Sequence, residues 1–295
     1  MSTFQTYDQV GIKEDVSDII VDITPTDVPF STMIGAGETI ANRVHQYQED
    51  TLANAGDNKA VEGADPSMAT LTATTLRSAT TQILTKAFQV SATADAVATY
   101  GRAKETAYQL SKALKELKRD IEFAYIGHDN AAAAGNSSTA REMASASQLI
   151  STAVDAGSNS TDPLTEAKLL TLGQTCYTNG SEPSVFMIKP ADAQIVAGFA
   201  ASSGRNREFA QTTELVNAID LYVSPYGEYS IVLNRHLLST HAFLIDPTMF
   251  KPLVLRNVTR ELLSKTGDSE KHFVVYEGSL KHNNFSDSGM ITGLS

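Results

Sequence analysis

The sequence is poorest in the residues that mark a secreted protein, a metal site or a membrane span. It has no tryptophan and one cysteine, Cys176, so it can form neither an internal disulfide nor a thiolate zinc site. No stretch approaches the roughly 18 consecutive apolar residues of a membrane span. The start, MSTFQTYDQVGIKED, lacks the basic opening and apolar run of a signal peptide. A protein made in the cytoplasm, with no membrane contact, is expected. Positive charge is also scarce: 23 Lys and Arg against 34 Asp and Glu give −11 over 295 residues. That excludes a protein that grips nucleic acid by neutralising phosphates.

Catalytic signatures are missing as well. There is no GxxxxGK[ST] loop, and Gly35-Ala-Gly37 lacks the third glycine of a dinucleotide fingerprint. The six histidines (His45, His128, His236, His241, His272, His282) show no metal-ligand spacing and read as surface or structural residues. No Gly-x-Ser-x-Gly elbow is present, and Cys176 sits in an apolar helical pattern, as a small core residue would. No catalytic residue, metal or cofactor is expected. The basic cluster Lys112, Lys115, Lys118 and Arg119 is interleaved with Glu116, Asp120 and Glu122 and has no stacking aromatics. It reads as a solvated helix face turned toward a partner's acids.

What is present is an ordinary apolar fraction, 42%, enough to bury a core. Residues 1–33 read as an extended arm, with Pro25 and Pro29 favouring extended neighbours. Between residues 34 and 90, ETIANRVHQYQED and a threonine-rich run into QILTKAFQVSA read as the arms of a long hairpin. The polar segment LANAGDNKAVEGADP forms its exposed tip. A free-standing hairpin of that length is marginal in water, and its natural place is on a neighbouring subunit.

From Ala103 the apolar positions Ala103, Ala107, Leu110, Leu114, Leu117, Ile121 and Ala124 are spaced 4-3-4-3-4-3, which predicts a long amphipathic helix ending near Gly127. Lys112–Glu116 and Lys118–Glu122 are expected as surface pairs on it. Its seam reads as a helix lying on a sheet rather than as a coiled coil. Residues 131–161 read as a small-residue loop with one helical turn near Gln148–Val154. DPLTEAKLLTLGQTCY reads as a helix capped by Asp162 with Pro163 at its first position. SVFMIKP, ADAQIVAGFA and LYVSPYGEYSIVLNR then read as strand, helix, and strand-turn-strand, a compact α/β region. The last 50 residues are mostly strand-like.

Arm, projecting hairpin, long helix, α/β region and strand-rich return make an unusual order. The order resembles the major capsid proteins of tailed bacteriophages with the Hong-Kong-97-type fold. At residue level the likeness rests on FQTYDQVGIKEDVSDII with TPTDVPF, Gln48-Glu49-Asp50 with Leu52, Glu62-Gly63, VSATADAVATYGRAKETAYQLSKALKELKRDIEFA and KTGDSEKHFVVYEGSLKHNN. It covers nearly the whole chain, and KELKRDIE is its most specific part.

The resemblance implies an α+β capsid fold in five parts: an N-terminal arm (1–33), an extended hairpin loop (34–90), a peripheral domain with the spine helix (91–149), an axial domain (150–245) and peripheral return strands (246–295). It implies a homo-oligomer of hexamers and pentamers that encloses double-stranded DNA without binding it specifically. The partners it implies are a separate scaffolding protein, because the arm begins almost at Met1, a portal protein and room for a decoration protein. Leu110, Leu114, Leu117 and Ile121 are expected on the buried face of the spine helix, so that Leu114→Asp would abolish soluble assembly. Lys59, Glu62 and Asp65 are expected at the hairpin tip, in contact with another subunit. Some relatives join a loop lysine covalently to an asparagine; Lys59 with Asn283 or Asn284 could do so here, but lysine at a polar tip is ordinary surface composition and no crosslink is expected. An encapsulin-like compartment on the same fold and a hydrolase with an unrecognised site in the α/β region are the alternatives.

Overall fold

The computed structural model describes residues 27–53, 55–63, 65, 68, 70–97, 104–156, 162–202 and 221–294. In chain order the elements are α1 (Pro29–Met33), β1 (Glu38–Thr39), β2 (Val44–Glu49), β3 (Thr75–Thr80), β4 (Gln82–Ser91), α2 (Ala92–Ala96), α3 (Glu105–Ile126), α4 (Ala146–Leu149), β5 (Thr152–Asp155), α5 (Glu166–Thr178), β6 (Val185–Ile188), α6 (Ala193–Ser202), β7 (Leu221–Ser224), β8 (Gly227–Leu233), β9 (Ala242–Ile245), β10 (Phe250–Leu263), β11 (Ser269–His282) and β12 (Gly289–Thr292). They form two units. One gathers the described residues of Thr85–Leu117 and Arg260–Val274; the other holds Asp27–Leu84, Lys118–Thr259 and Val275 onward. Most of the expected arm lies outside the described residues.

The larger unit is built on a six-stranded sheet of order β5-β12-β9-β6-β8-β7. Its central strands are apolar at every position because both faces are covered. Along β6, Val185 and Met187 face one hydrophobic core while Phe186 and Ile188 face another, and β9 divides Phe243 and Ile245 from Ala242 and Leu244 in the same way. Helix α5 covers one face with Leu169, Leu172 and Cys176. It packs so close that a Cβ on Gly289 of β12 would meet the side chains of Leu172 and Cys176. The α5 cap differs from expectation. Thr165, not Asp162, caps it by accepting from Lys168 N, and Asp162 bridges to Leu294. A threonine next to the first helical residue can reach a free backbone N–H, whereas Asp162 is three residues too early. The helix closes on Gly180 at φ +84°, with Ser181 N donating to Cys176 O and Gly180 N to Tyr177 O. The turn expected near Gln148–Val154 also divides, into α4 and the strand β5.

A four-stranded sheet runs β1-β10-β11-β4, and among the described residues β2 and β3 form a two-stranded sheet of their own, antiparallel, from Val44↔Thr80 to Glu49↔Thr75. This corrects the hairpin. Its returning arm is Thr75–Thr80, and QILTKAFQVS belongs to β4 of the other sheet. The alternation of β4 signalled a half-covered strand correctly but not its partner. The C-terminal 246–295 segment also divides, since β10 and β11 join the four-stranded sheet while β12 inserts between β5 and β9. In the smaller unit, Ser91 caps α2, Asp95 accepts from Thr106 N at the start of α3, and Gln89 Nε2 donates to Ser269 Oγ at 2.6 Å.

Two buried carboxylates organise the larger unit. Glu122 of α3 is 0% exposed. Its Oε1 accepts from Phe30 N at 2.9 Å and Asn234 Nδ2 at 2.7 Å, and its Oε2 accepts from Ser31 N at 2.7 Å and Ser31 Oγ at 2.5 Å. Val28, at the N-cap of α1, provides no side-chain cap and Pro29 has no N–H, so Glu122 takes the donors that a local cap would have satisfied. The expected Lys118–Glu122 surface pair is therefore corrected: Glu122 points into the core. Phe30 then seats edge-on against Tyr125 and Phe250, with ring centroids 6.1 and 5.4 Å apart. Glu277 of β11 is held between Arg141 and Arg256, the latter at 2.7 Å, and accepts from Thr81 Oγ1 at 3.1 Å.

The β11–β12 connection is a third polar knot. His282 stacks on Phe250 at 4.2 Å. Its Nδ1 and Nε2 lie 3.2 Å from Leu149 O and Ser288 Oγ respectively. A carbonyl only accepts, so Nδ1 carries the proton and the Ser288 hydroxyl donates to Nε2. Burial lowers the His282 pKa to about 4. Burial likewise raises the Asp287 carboxyl to about 6, and its Oδ2 has no hydrogen-bond partner among the described residues.

Two predictions follow from these groups. Glu122→Gln turns an amide N–H₂ toward donors that need an acceptor, so it costs about 3 kcal/mol; thermal unfolding should fall by roughly 5–10 °C, and an unchanged midpoint would show that Glu122 does not anchor α1. Asp287 has a raised folded pKa, so its buried charge opposes folding above about pH 6 and ceases to do so as the pH falls toward 4. His282 has the opposite sign, its contribution being lost as the pH falls from about 6.5 through 4. Asp287→Asn should therefore raise stability at pH 7 by on the order of 2 kcal/mol, an advantage that shrinks to nothing by about pH 4. Urea unfolding of both chains across that range measures it.

Candidate assembly surfaces

The hairpin is held at its root and bare beyond it. Across β2 and β3, Arg77 Nε lies 2.8 Å from Glu49 Oε2, and its guanidinium sits 4.3 Å over the Phe285 ring. On the other strand the Tyr47 ring lies 5.0 Å from Lys281 Nζ. Burial pushes the Tyr47 hydroxyl up to about 12, the mark of a phenol fixed against the body rather than hydrated. Ile40 and Ala79 pack with Leu253 as a small core under the root. Past Glu49 this support ends. Leu52 is 96% exposed, Val61 79%, Met68 89% and Leu71 92%. Four large apolar side chains on one connection, none covered by the described residues, form an exposed apolar patch of the kind that marks an interaction surface.

Lys59, Glu62 and Asp65 all lie on this exposed connection, and Lys59 Nζ is 2.6 Å from Asp57 Oδ2. The helix set divides. Leu117 is 1% exposed and Leu110 and Ile121 are half-buried, but Leu114 is 41% exposed. The buried face of α3 runs instead through Ala113, Leu117, Glu122, Tyr125 and Ile126. At about 100° per residue, Leu114 stands about 60° round from Leu117 and Ala113 about 40° to the other side, so a cover centred on Ala113 and Leu117 leaves Leu114 outside. A strict seven-residue pattern drifts against a 3.6-residue helix, and the spacing gave Leu114 the same weight as Leu117. Gly127, expected as a left-handed cap, is there for another reason: the Phe123 ring occupies the place a Cβ would take.

The organising residues that pattern reading missed are Glu122, Glu277, Arg141 and Arg256. Only Glu122 left a trace, a single acid within Ile121–Ile126 where every neighbour is apolar. Of the other three, Arg256 and Glu277 meet through the pairing of β10 with β11 and Arg141 reaches Glu277 from the segment before α4, at separations no local pattern spans. Cys176 is fully buried, and burial pushes its thiol up to about 11, which suits packing and not nucleophilic attack. Among the described residues no group of three His, Cys, Asp or Glu side chains could hold a metal ion. No helix among them is long and apolar enough to cross a membrane.

Comparison with known proteins places this geometry. The family model for the SU10 major capsid protein matches residues 1–295. The major capsid protein of Escherichia phage Phieco32 is 30% identical, the match covering 98% of this chain and 96% of that protein. Among solved structures, the capsid of cyanophage A-1(L) superposes with a TM-score of 0.68 at 12% identity, covering 98% of each chain. The SrpI encapsulin of Synechococcus elongatus superposes with a TM-score of 0.59 at 10% identity, covering 100% of this chain and 97% of that one. The encapsulin likeness is one of fold alone. An α+β capsid fold of the Hong-Kong-97 type, a projecting hairpin with uncovered apolar side chains, and a family match over the full length agree: this chain belongs to the SU10 major capsid protein family, whose place is in the phage virion.

Proposed function

We propose that copies of this major capsid protein close as hexamers and pentamers into an icosahedral head around double-stranded DNA. The observation that carries this reading is the hairpin connection, whose large apolar side chains are 79% or more exposed, whereas the other large apolar residues among those described reach 60% at most. A covering subunit gives that exposure a purpose. The boundaries of the five parts follow the same reading, with β12 reassigned to the axial sheet. The −11 charge suits a container that must not hold its DNA tightly. The work of the chain is structural, and no cofactor enters it.

A contact made through an extended hairpin does not by itself fix shell curvature. We therefore assign size control to a separate scaffolding protein, with a portal protein and an added decoration protein as further partners. The shell is held without Lys59–Asn283 or Lys59–Asn284 crosslinks, and a denaturing gel of particles should show monomer bands alone.

Negative-stain microscopy and gel filtration test the reading. Purified chain should form assemblies far above its 31.6 kDa, with few uniform shells unless the scaffolding protein is supplied. A monomer under all conditions would overturn the shell. Efficient unaided assembly into uniform shells would overturn the scaffolding requirement, and co-purified enzyme cargo in place of DNA would favour the encapsulin-like alternative.

A further inference from the structure

Two aspartates of the larger unit oppose each other where β9 ends and β12 begins. β12 pairs antiparallel with β9 through Gly289↔Leu244, Met290↔Phe243 and Ile291↔Ala242. The same register carried two residues further sets Asp287 opposite Asp246, and the Asp246 N–H lies 3.4 Å from Ser288 Oγ there. Like charges in such a position repel. Asp287 is 7% exposed, and its Oδ2 has no hydrogen-bond partner among the described residues. Burial and the negative charge of Asp246 push its carboxyl up to about 6, with no positive group to offset them, so at pH 7 it is still mostly ionised. A buried carboxylate oxygen without a donor is costly, and a second carboxylate beside it adds to the cost. The segments that carry the two aspartates are held in place around them. Asn283 N donates to Met249 O and Asp287 N to Asn284 O, both at 3.0 Å, while Thr248 N and Oγ1 donate to Asp246 Oδ1 at 2.9 and 2.8 Å. Asp246 is half-buried, which leaves a route from solvent.

We propose that Asp246 and Asp287 form a site for a hard divalent cation of the calcium class, bound through their Oδ2 atoms. Two carboxylates balance the charge of such an ion. They suffice without a third acidic or histidine ligand, because calcium accepts neutral oxygens at flexible angles and water completes its shell. A water alone would satisfy Asp287 Oδ2 but leave the two charges opposed; a cation removes both costs. The ion joins the segment that leads into β10 to the β11–β12 turn. Phe285 of that turn lies under the Arg77 guanidinium at 4.3 Å, so occupancy of the site also steadies the seat of the hairpin root. The inference concerns a single chain and does not rest on the shell reading.

The test uses the full-length chain near pH 7.5 with calcium as the probe. Isothermal titration calorimetry of chelator-stripped chain should show one calcium bound per chain, and none for Asp287→Asn or Asp246→Asn. Calcium at about 100 times its dissociation constant should raise the parent's thermal midpoint by roughly 5 °C and leave those of the two variants in place. The order of stability changes as well. In chelator Asp287→Asn should unfold above the parent, because it removes a buried unpaired charge, and calcium should narrow or reverse that gap. Glu261→Gln, at an exposed acid of β10, should keep the parent's response. A parent that binds no calcium, or a response that survives in Asp287→Asn, overturns the site. An Asp287→Asn advantage that calcium leaves unchanged overturns it too, since the carboxylate would then exchange a proton only. Loss of the response in Glu261→Gln would reduce it to general charge screening and overturn it likewise.

Discussion

The Glu122 carboxylate is the constraint on which the larger unit depends. A charge with no solvent exposure survives folding only if donors surround it, and here four do, from Phe30, Ser31 (two) and Asn234. Those donors come from separate parts of the chain: α1, where the arm ends, and the residue that follows β8. Asn234 in turn donates its backbone N–H to Ile188 O at the end of β6 and accepts from His236 N. One helix side chain thus fixes the end of the arm and the exit of two central strands. Satisfying the carboxylate and capping α1 are a single event, because Pro29 and Val28 leave α1 without a cap of its own.

Glu277 repeats the principle with charge. Its two arginines come from β10 and from the segment before α4, and Thr81 lies at the junction of β3 and β4. The hairpin root is therefore tied down by the ionic network around the buried Glu277, by the Arg77–Phe285 stack and by the small core under Ile40, while none of the described residues covers the tip. Rigidity ends where self-contact ends. A hairpin anchored in this way presents its tip at a defined position without requiring the tip to fold against its own subunit, which is what a contact between copies needs.

Elements whose stability is local were readable from the sequence, and those settled by distant partners were not. α3, α5, β6, α6 and the β7–β8 turn announce themselves through period and turn chemistry. β4 shows its alternation, but nothing local says that its neighbour is β11 rather than β2. β12 is four residues long, and its place between β5 and β9 depends on a glycine that lets α5 approach, a tolerance visible only once Leu172 and Cys176 are in position. The hairpin tip was legible because it lacks large apolar residues in pattern, and the few it has prove to be uncovered. Leu114 was misread for the converse reason. A leucine on a helix signals that it will be covered, and the signal does not say by which chain.

That ambiguity is where electrostatics decides. Copies carrying −11 each repel when brought together, but at physiological salt the repulsion is felt over only about 8 Å, so the composition of the touching surfaces outweighs the net charge. An acidic chain can then self-associate if its acids are either consumed internally, as Glu122 and Glu277 are, or kept away from the surfaces that touch. On α3 the acids are drawn toward the covered side and the lysines stand outward. A net charge of −11 is thereby made compatible with a shell built of many copies.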